Sequence, residues 1–224
     1  MRVKIRMTAN PVVAGLKMSH REAMKLLKDN NIGHLPVVDN QGKVRGIVSE
    51  TDLLSTGPSR VTSLSIYEIY TLLDELTLGQ IMMKPVLAVE EDCGLARAAS
   101  FMIENKVGSL LVMSGPNLTG IITETDIFRT FVEVLGGGQP GSRVEIQMDD
   151  QKGILAQAAS AFSEAGSYIY SLTSFQDESG KYTLASVKET GATKESLQAS
   201  LDRREGVTLL EFRSTDEDTL LKLS

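Results

Sequence analysis

Over the first 135 positions, apolar residues fall into short blocks that recur in kind and order. Ala23, Met24, Leu26 and Leu27 stand at helical spacing behind Ser19, and Glu22 three positions after that serine predicts a helix opened by a capping box. A second stretch with the same spacing carries Leu95, Ala98, Ala99, Met102 and Ile103. Glycines, Gly33 and Gly108, are the expected helix ends. Solid apolar runs follow at 35–38 and 110–113 and predict buried strands. Then come turn residues, Asp39-Asn40-Gln41-Gly42 and Ser114-Gly115-Pro116-Asn117. A second strand, 44–49 or 118–123, runs directly into another helix. Each copy therefore reads helix–strand–strand–helix.

The copies keep a nearly constant offset. Pro11 and Pro85 stand 74 apart, Gly33 and Gly108 75, and Gly46 and Gly120 74. Such self-similarity marks two units that bury their sheets together around a pseudo-twofold axis. Between them, 55–65 is polar with Gly57-Pro58 and reads as a connection, and 66–76 is apolar at helical spacing.

Gly136-Gly137-Gly138-Gln139-Pro140-Gly141 predicts a linker. Beyond it the pattern changes. Val144, Ile146 and Met148 alternate as in a strand, 154–162 is amphipathic behind Gly153, 168–175 and 182–187 predict two strands, 197–204 a helix and 207–212 a last strand. That order is βαββαβ, a ferredoxin-like plan, so the whole chain is α+β.

Composition narrows the function. Net charge is −6 and no Lys/Arg run occurs, which argues against a nucleic-acid partner. The single cysteine, Cys93, excludes an internal disulfide and a cysteine-based metal site. No apolar run reaches the length of a membrane span, and no secretory pattern opens the chain, so the expectation is a cytoplasmic protein without a membrane partner. Two histidines, no nucleophile elbow and no phosphate-loop Gly-Lys-Ser/Thr leave no catalytic residue to name, and no metal ligand set.

The candidate chemistry sits where the second strand of each copy enters its helix. Gly46-Ile47-Val48-Ser49-Glu50-Thr51-Asp52 recurs as Gly120-Ile121-Ile122-Thr123-Glu124-Thr125-Asp126. The glycines are expected to allow close backbone approach. Helix N-terminal amides attract phosphate, a hydroxyl at Ser49 or Thr123 can donate to it, and a carboxylate at Asp52 or Asp126 can accept from ribose hydroxyls. The same spacing is also an ordinary helix cap. His34 either faces the cleft or lies on the surface after the helix-ending glycine. His20 reads as a solvated first-turn residue and Cys93 as a residue without a role, while Arg45, Arg97 and Arg129 read as surface cations.

On these residues the chain resembles tandem CBS domains. The resemblance rests on Asn10-Pro11-Val12, Gly33-His34-Leu35-Pro36 and Gly46 to Asp52, matched by Lys84-Pro85-Val86, Val107-Gly108-Ser109-Leu110 and Gly120 to Asp126. It implies two clefts for an adenine nucleotide (AMP, ADP, ATP or a related adenosyl ligand) with no other cofactor. Ser49, Asp52, Thr123 and Asp126 would hold phosphate and ribose, and Asn10, Pro11, Val12, Gly33, His34, Leu35, Pro36, Lys84, Pro85, Val86, Val107, Gly108, Ser109 and Leu110 would wall the base. The second copy departs by carrying Leu111 where the first has Pro36.

The C-terminal part resembles an ACT domain through Asp149-Asp150-Gln151-Lys152-Gly153-Ile154-Leu155 and Gly166-Ser167-Tyr168-Ile169. That resemblance implies dimerisation or small-molecule sensing, with Asp150, Gly153, Ile154, Leu155 and Tyr168 as the ligand site. Lys152 stands where that family commonly has proline, and Tyr168 where it has asparagine. The combined order resembles the AcuB-type acetoin-utilisation proteins. The expected layout is repeat one at 1–63, repeat two at 64–135, linker 136–142, ACT-like domain 143–213 and a tail at 214–224. The function expected is a homodimeric regulator of an enzyme or transporter. The alternatives are a structural dimerisation module with unoccupied clefts and, less favoured, an enzyme.

Overall fold

The structure, a computed structural model, describes residues 1–56, 68 and 73–214. These divide into two compact units, Met1–Phe128 and Arg129–Ser224. The predicted connection at 55–65 lies outside the described residues beyond Thr56. The predicted helix at 66–76 does too, save Glu68 and 73–76, of which 68 and 73–75 are helical. The tail after Ser214 also lies outside them.

In the first unit, β2 (Ala14–Gly15), β3 (His34–Val38) and β4 (Val44–Ser49) form one sheet in that order, flanked by α1 (His20–Asn30) and α2 (Glu50–Thr56). A second sheet runs β1 (Thr8–Ala9), β7 (Asn117–Thr123), β6 (Ser109–Ser114), β5 (Ala88–Glu90). Beside it stand α4 (Leu95–Asn105) and the start of α5 (Glu124–Val134), and a short α3 (Leu78–Ile81) precedes β5. The short parallel strands β2 and β5 are additions to the predicted helix–strand–strand–helix order.

The Ser19–Glu22 capping box forms as predicted: the Glu22 carboxylate accepts from Ser19 N at 2.9 Å, and Ser19 Oγ accepts from Glu22 N at 3.3 Å. The helix ends differ from expectation. Asn31 at φ 51° and Lys106 at φ 55° are the left-handed caps, and Gly33 and Gly108 lie two residues further on. Asparagine tolerates that conformation better than most residues.

The copies exchange their leading segments. Val3 is fully buried in the core of the second copy with Val89, Leu95, Ala98 and Met102, and Met7 packs against it. Leu78 is fully buried in the core of the first with Ala23, Leu27, Leu35 and Val48, where Ile81 and Met82 pack. Backbone pairing follows the same exchange: Thr8 stands opposite Ile121 on β7, and Met83 opposite Ile47 on β4. Gly46 and Gly120 serve this exchange rather than ligand approach. A Cβ at Gly46 would overlap the Met82 side chain, and one at Gly120 would overlap Met7.

In the second unit, β8 (Ser142–Asp149), α6 (Ile154–Glu164), β9 (Tyr168–Gln176), β10 (Tyr182–Thr190), α7 (Lys194–Leu201) and β11 (Val207–Ser214) follow the expected βαββαβ order. The sheet order is β11-β8-β10-β9, antiparallel throughout, so β8 and β9 run parallel with β10 between them. Alternate residues Val144, Ile146 and Met148 point to the helices and pack with Ala158, Phe162, Leu197 and Leu201. The glycine-rich stretch is not a loose linker. Gly136, at φ 72°, and Gly137 close α5: Gly137 N donates to Val132 O at 2.8 Å and Gly136 N to Glu133 O at 2.9 Å, a Schellman cap. Arg143 then donates to Leu135 O at 2.9 Å.

Candidate functional site

Both strand-to-helix junctions have the same geometry. Asp52 Oδ2 accepts from Ser49 N at 2.8 Å and from Ser49 Oγ at 2.7 Å. Ser49 Oγ in turn accepts from Asp52 N at 3.1 Å. In the second copy Asp126 Oδ2 accepts from Thr123 N at 2.9 Å and Thr123 Oγ1 at 2.7 Å, with Asp126 N donating back at 3.3 Å. The hydroxyl and the carboxylate are thus bonded to each other as a capping box, not held apart for a ligand. All four side chains remain half-buried and reachable at the sheet end.

Strand register brings the other predicted residues to the same end. His34 pairs with Ser49 across β3 and β4, so the two side chains share a face with Cβ atoms about 5 Å apart. Ser109 pairs with Thr123 in the same way. Ala14 pairs with Val37, which puts Val12, two residues earlier, level with Leu35. Leu111 N donates to Leu87 O at 3.1 Å, which puts Val86 beside the start of β6. Asn10, at φ 49°, Lys84 and Pro85 are exposed, and Pro11 and Val107 half-buried. Leu35, Pro36 and Leu110 are buried, so only their backbone can face a base.

His34 is half-buried where the copies meet. A Cβ at Gly108 would sit 3.6 Å from both His34 Nε2 and Glu124 Oε2, so histidine from one copy and carboxylate from the other converge on Gly108. Burial pushes the His34 imidazole below its ordinary pKa, against the opposing pull of the Asp52 and Glu124 carboxylates. A cleft of about 630 Å³ opens beside the first junction, lined by Met24, Leu27, Ile32, Gly33 and Glu50 with Lys25 and Lys28 at its rim. The lysines and Glu124 were missed in the sequence. Glu50 and Glu124 were visible as part of the repeated Glu-Thr-Asp, but no spacing rule singles them out.

The expectation for His20 changes. His20 is buried at 6% exposure, not solvated, and its Nε2 donates to Leu53 O at 2.8 Å. Arg45 pairs with Asp39 at 2.7 Å, and Arg97 pairs with Glu104 at 3.0 Å while lying over the Phe101 ring. Cys93 packs at the edge of the second core. Among the described residues no cluster of three or more His, Cys, Asp or Glu could hold a metal, and no helix is long and apolar enough to cross a membrane.

In the second unit the expected ligand residues do not converge within one chain. Asp149 pairs with Tyr182 at one end of β10, and Tyr168 pairs with Thr190 at the other, so Asp150 and Tyr168 are separated by roughly 25 Å of strand. Ile154 is spent on the core. Gly153 is required by its φ of 84° at the helix entry, since a Cβ there would meet nothing within 4 Å. Leu155 and Tyr168 are exposed.

Comparison with known proteins places this geometry. The family model described as CBS domain matches residues 3–58 and 78–133. Protein MJ1404 of Methanocaldococcus jannaschii is 28% identical over 157 residues, covering 63% of this chain and 34% of that protein. A 33.4 kDa protein encoded in a ribosomal RNA operon of Thermofilum pendens is 32% identical over 154 residues, covering 66% of this chain and 47% of its own. The chain thus matches a third to a half of the length of these relatives. Among solved structures, an acetoin utilization protein (AcuB) from Vibrio cholerae is similar with a TM-score of 0.51 at 29% identity, over 61% of this chain and 95% of that one.

Proposed function

We propose, from the premise that the chain belongs to the CBS domain family, that it is a non-catalytic regulator sensing an adenine nucleotide at its repeated junctions. The observation that carries this reading is the grouping of Ser49, Asp52 and His34 at one sheet end, echoed by Thr123, Asp126 and Ser109. A helix N-terminus, a hydroxyl and a carboxylate side by side suit a ribose phosphate. The capping box does not oppose this: each carboxylate has a second oxygen, and each hydroxyl can rotate to donate to phosphate while still accepting from the Asp amide. Ligand would act by binding one conformation better than another.

On the same reading, 1–63 and 64–135 are the two repeats, 136–142 the join, 143–213 an ACT-like domain and 214–224 a tail. With Asp150 and Tyr168 at opposite sheet ends, the ACT-like domain is better suited to pairing two chains than to enclosing a ligand by itself. A cytoplasmic homodimer acting on an enzyme or transporter completes the proposal. The second reading, a structural module with unoccupied clefts, draws on the self-satisfied capping boxes.

Calorimetry with AMP, ADP, ATP and S-adenosylmethionine, on wild type and on Asp52→Ala and Asp126→Ala, separates the two. Saturable binding weakened about tenfold by at least one substitution supports the sensor. No heat at millimolar ligand supports the structural module, and product formation would overturn both.

A further inference from the structure

Resting on the nucleotide reading, we infer that His34 makes the first copy's site proton-coupled and selective for phosphate-bearing ligands, while the second copy, with Ser109 in the same place, is not. His34 stands directly opposite Ser49, on the same face, so a phosphate taken by the Ser49 hydroxyl lies beside the imidazole. Among the described residues, the charged groups facing the ring are Asp52 on α2 and Glu124 on α5. Partial burial disfavours the charged imidazole and outweighs their pull. A phosphate dianion arriving beside it adds a third negatively charged group, and the ring takes a proton from solvent to become imidazolium. No covalent bond forms or breaks apart from that N–H.

The equivalent of His34 in the second copy is Ser109, 75 residues on, which cannot titrate in this range and is 8% exposed. The two copies therefore differ in one respect that decides ligand charge. Phosphorylated nucleotides bind the first copy better as pH falls, while nucleosides, lacking the phosphate, do not follow the charge of His34. Glu124, from the other copy, adds a carboxylate whose charge favours the protonated ring.

The test compares AMP and adenosine on the full chain, wild type and His34→Gln, by calorimetry from about pH 8 to pH 6. AMP's own second ionisation, near pH 6 as for phosphate monoesters generally, cancels in the variant-to-wild-type ratio of dissociation constants. That ratio is expected to grow about threefold or more for AMP and to stay flat for adenosine. Equal ratios for the two ligands, or a flat ratio for AMP, overturn the inference while leaving nucleotide binding intact. Absence of AMP binding to wild type at every pH overturns the nucleotide reading and this inference with it. Should His34→Gln fail to fold, imidazole NMR on wild type decides: with only two histidines in the chain, the His34 signal is expected to titrate about one pH unit higher with AMP bound, and an unmoved titration overturns the inference.

Discussion

Met82 lies across the backbone of Gly46, so that a Cβ at position 46 would come within 2.9 Å of the Met82 Cβ and closer still to its sulfur. Met7 lies across Gly120 in the same manner, with Thr8 O only 3.1 Å from where a Cβ would stand. This pair of contacts is how each copy accepts the other's leading segment. Gly46→Ala is expected to lower stability by about 1–3 kcal/mol through overpacking. Chemical denaturation measures it, and Met82→Ala in the same chain should recover part of the loss, a coupling that independent sites would not show.

The capping boxes act without any ligand. Ser49→Ala and Thr123→Ala are each expected to cost about 1 kcal/mol of stability in ligand-free protein, since each orphans a helix amide. Urea melts of the two variants check this. Wild-type stability in both would mean the hydroxyls cap nothing.

His20 holds α1 to α2 through its bond to the Leu53 carbonyl, inside the first core. His20→Ala removes the donor and leaves a buried acceptor, at a cost of about 2 kcal/mol or more. A thermal melt with a near-wild-type midpoint would show that water replaces the imidazole.

Stability should also depend on pH through His34. Its folded pKa lies below the ordinary value of 6.5, mainly from burial. The unfolded chain therefore takes up the proton first as pH falls. The stabilisation from keeping the ring neutral is complete above about pH 6.5, falls as pH drops below it, and levels off once the folded state is protonated as well. Wild type should lose melting temperature relative to His34→Gln between about pH 7.5 and 5.5. Parallel curves for the two proteins would contradict this.

In the second unit Glu189 is fully buried, accepting from Ser167 Oγ at 2.7 Å and from Ala192 N at 3.3 Å. Glu189→Ala unpairs both donors and is expected to destabilise that unit by about 1–3 kcal/mol. Hydrogen exchange localised to 165–193 would report it. Glu189→Gln, which keeps an acceptor at the site, should cost less.

Much of the fold was legible in the pattern. The capping box at Ser19 and Glu22 and the β4 strand, Val44–Ser49, fall where the residues predict, because each depends on neighbours within a few positions. The helix ends were misread for a local reason: glycine is the common left-handed cap, and here Asn31 and Lys106 adopt that conformation instead. In the glycine-rich stretch, composition signals a join but says nothing of packing. Gly136 is needed against the Lys188 side chain, and Gly141 against the Glu189 backbone. In the candidate site, the Ser/Thr and Asp pairs were legible by spacing alone. Their bonding to each other is a matter of rotamers, which spacing leaves open.

The sequence by itself determined the repeat, the element order and the residue types at each junction, because helical and strand periods and caps are short-range properties. Tertiary structure alone decided that residues 1–9 complete the second copy and 77–83 the first, and that Asp150 and Tyr168 lie at opposite ends of one sheet. It also decided that His34 and Glu124 both approach Gly108. Those relations join residues more than 100 positions apart in places, such as Thr8 and Ile121, and they are settled by which surfaces bury each other, a sum over the whole core that no local pattern contains.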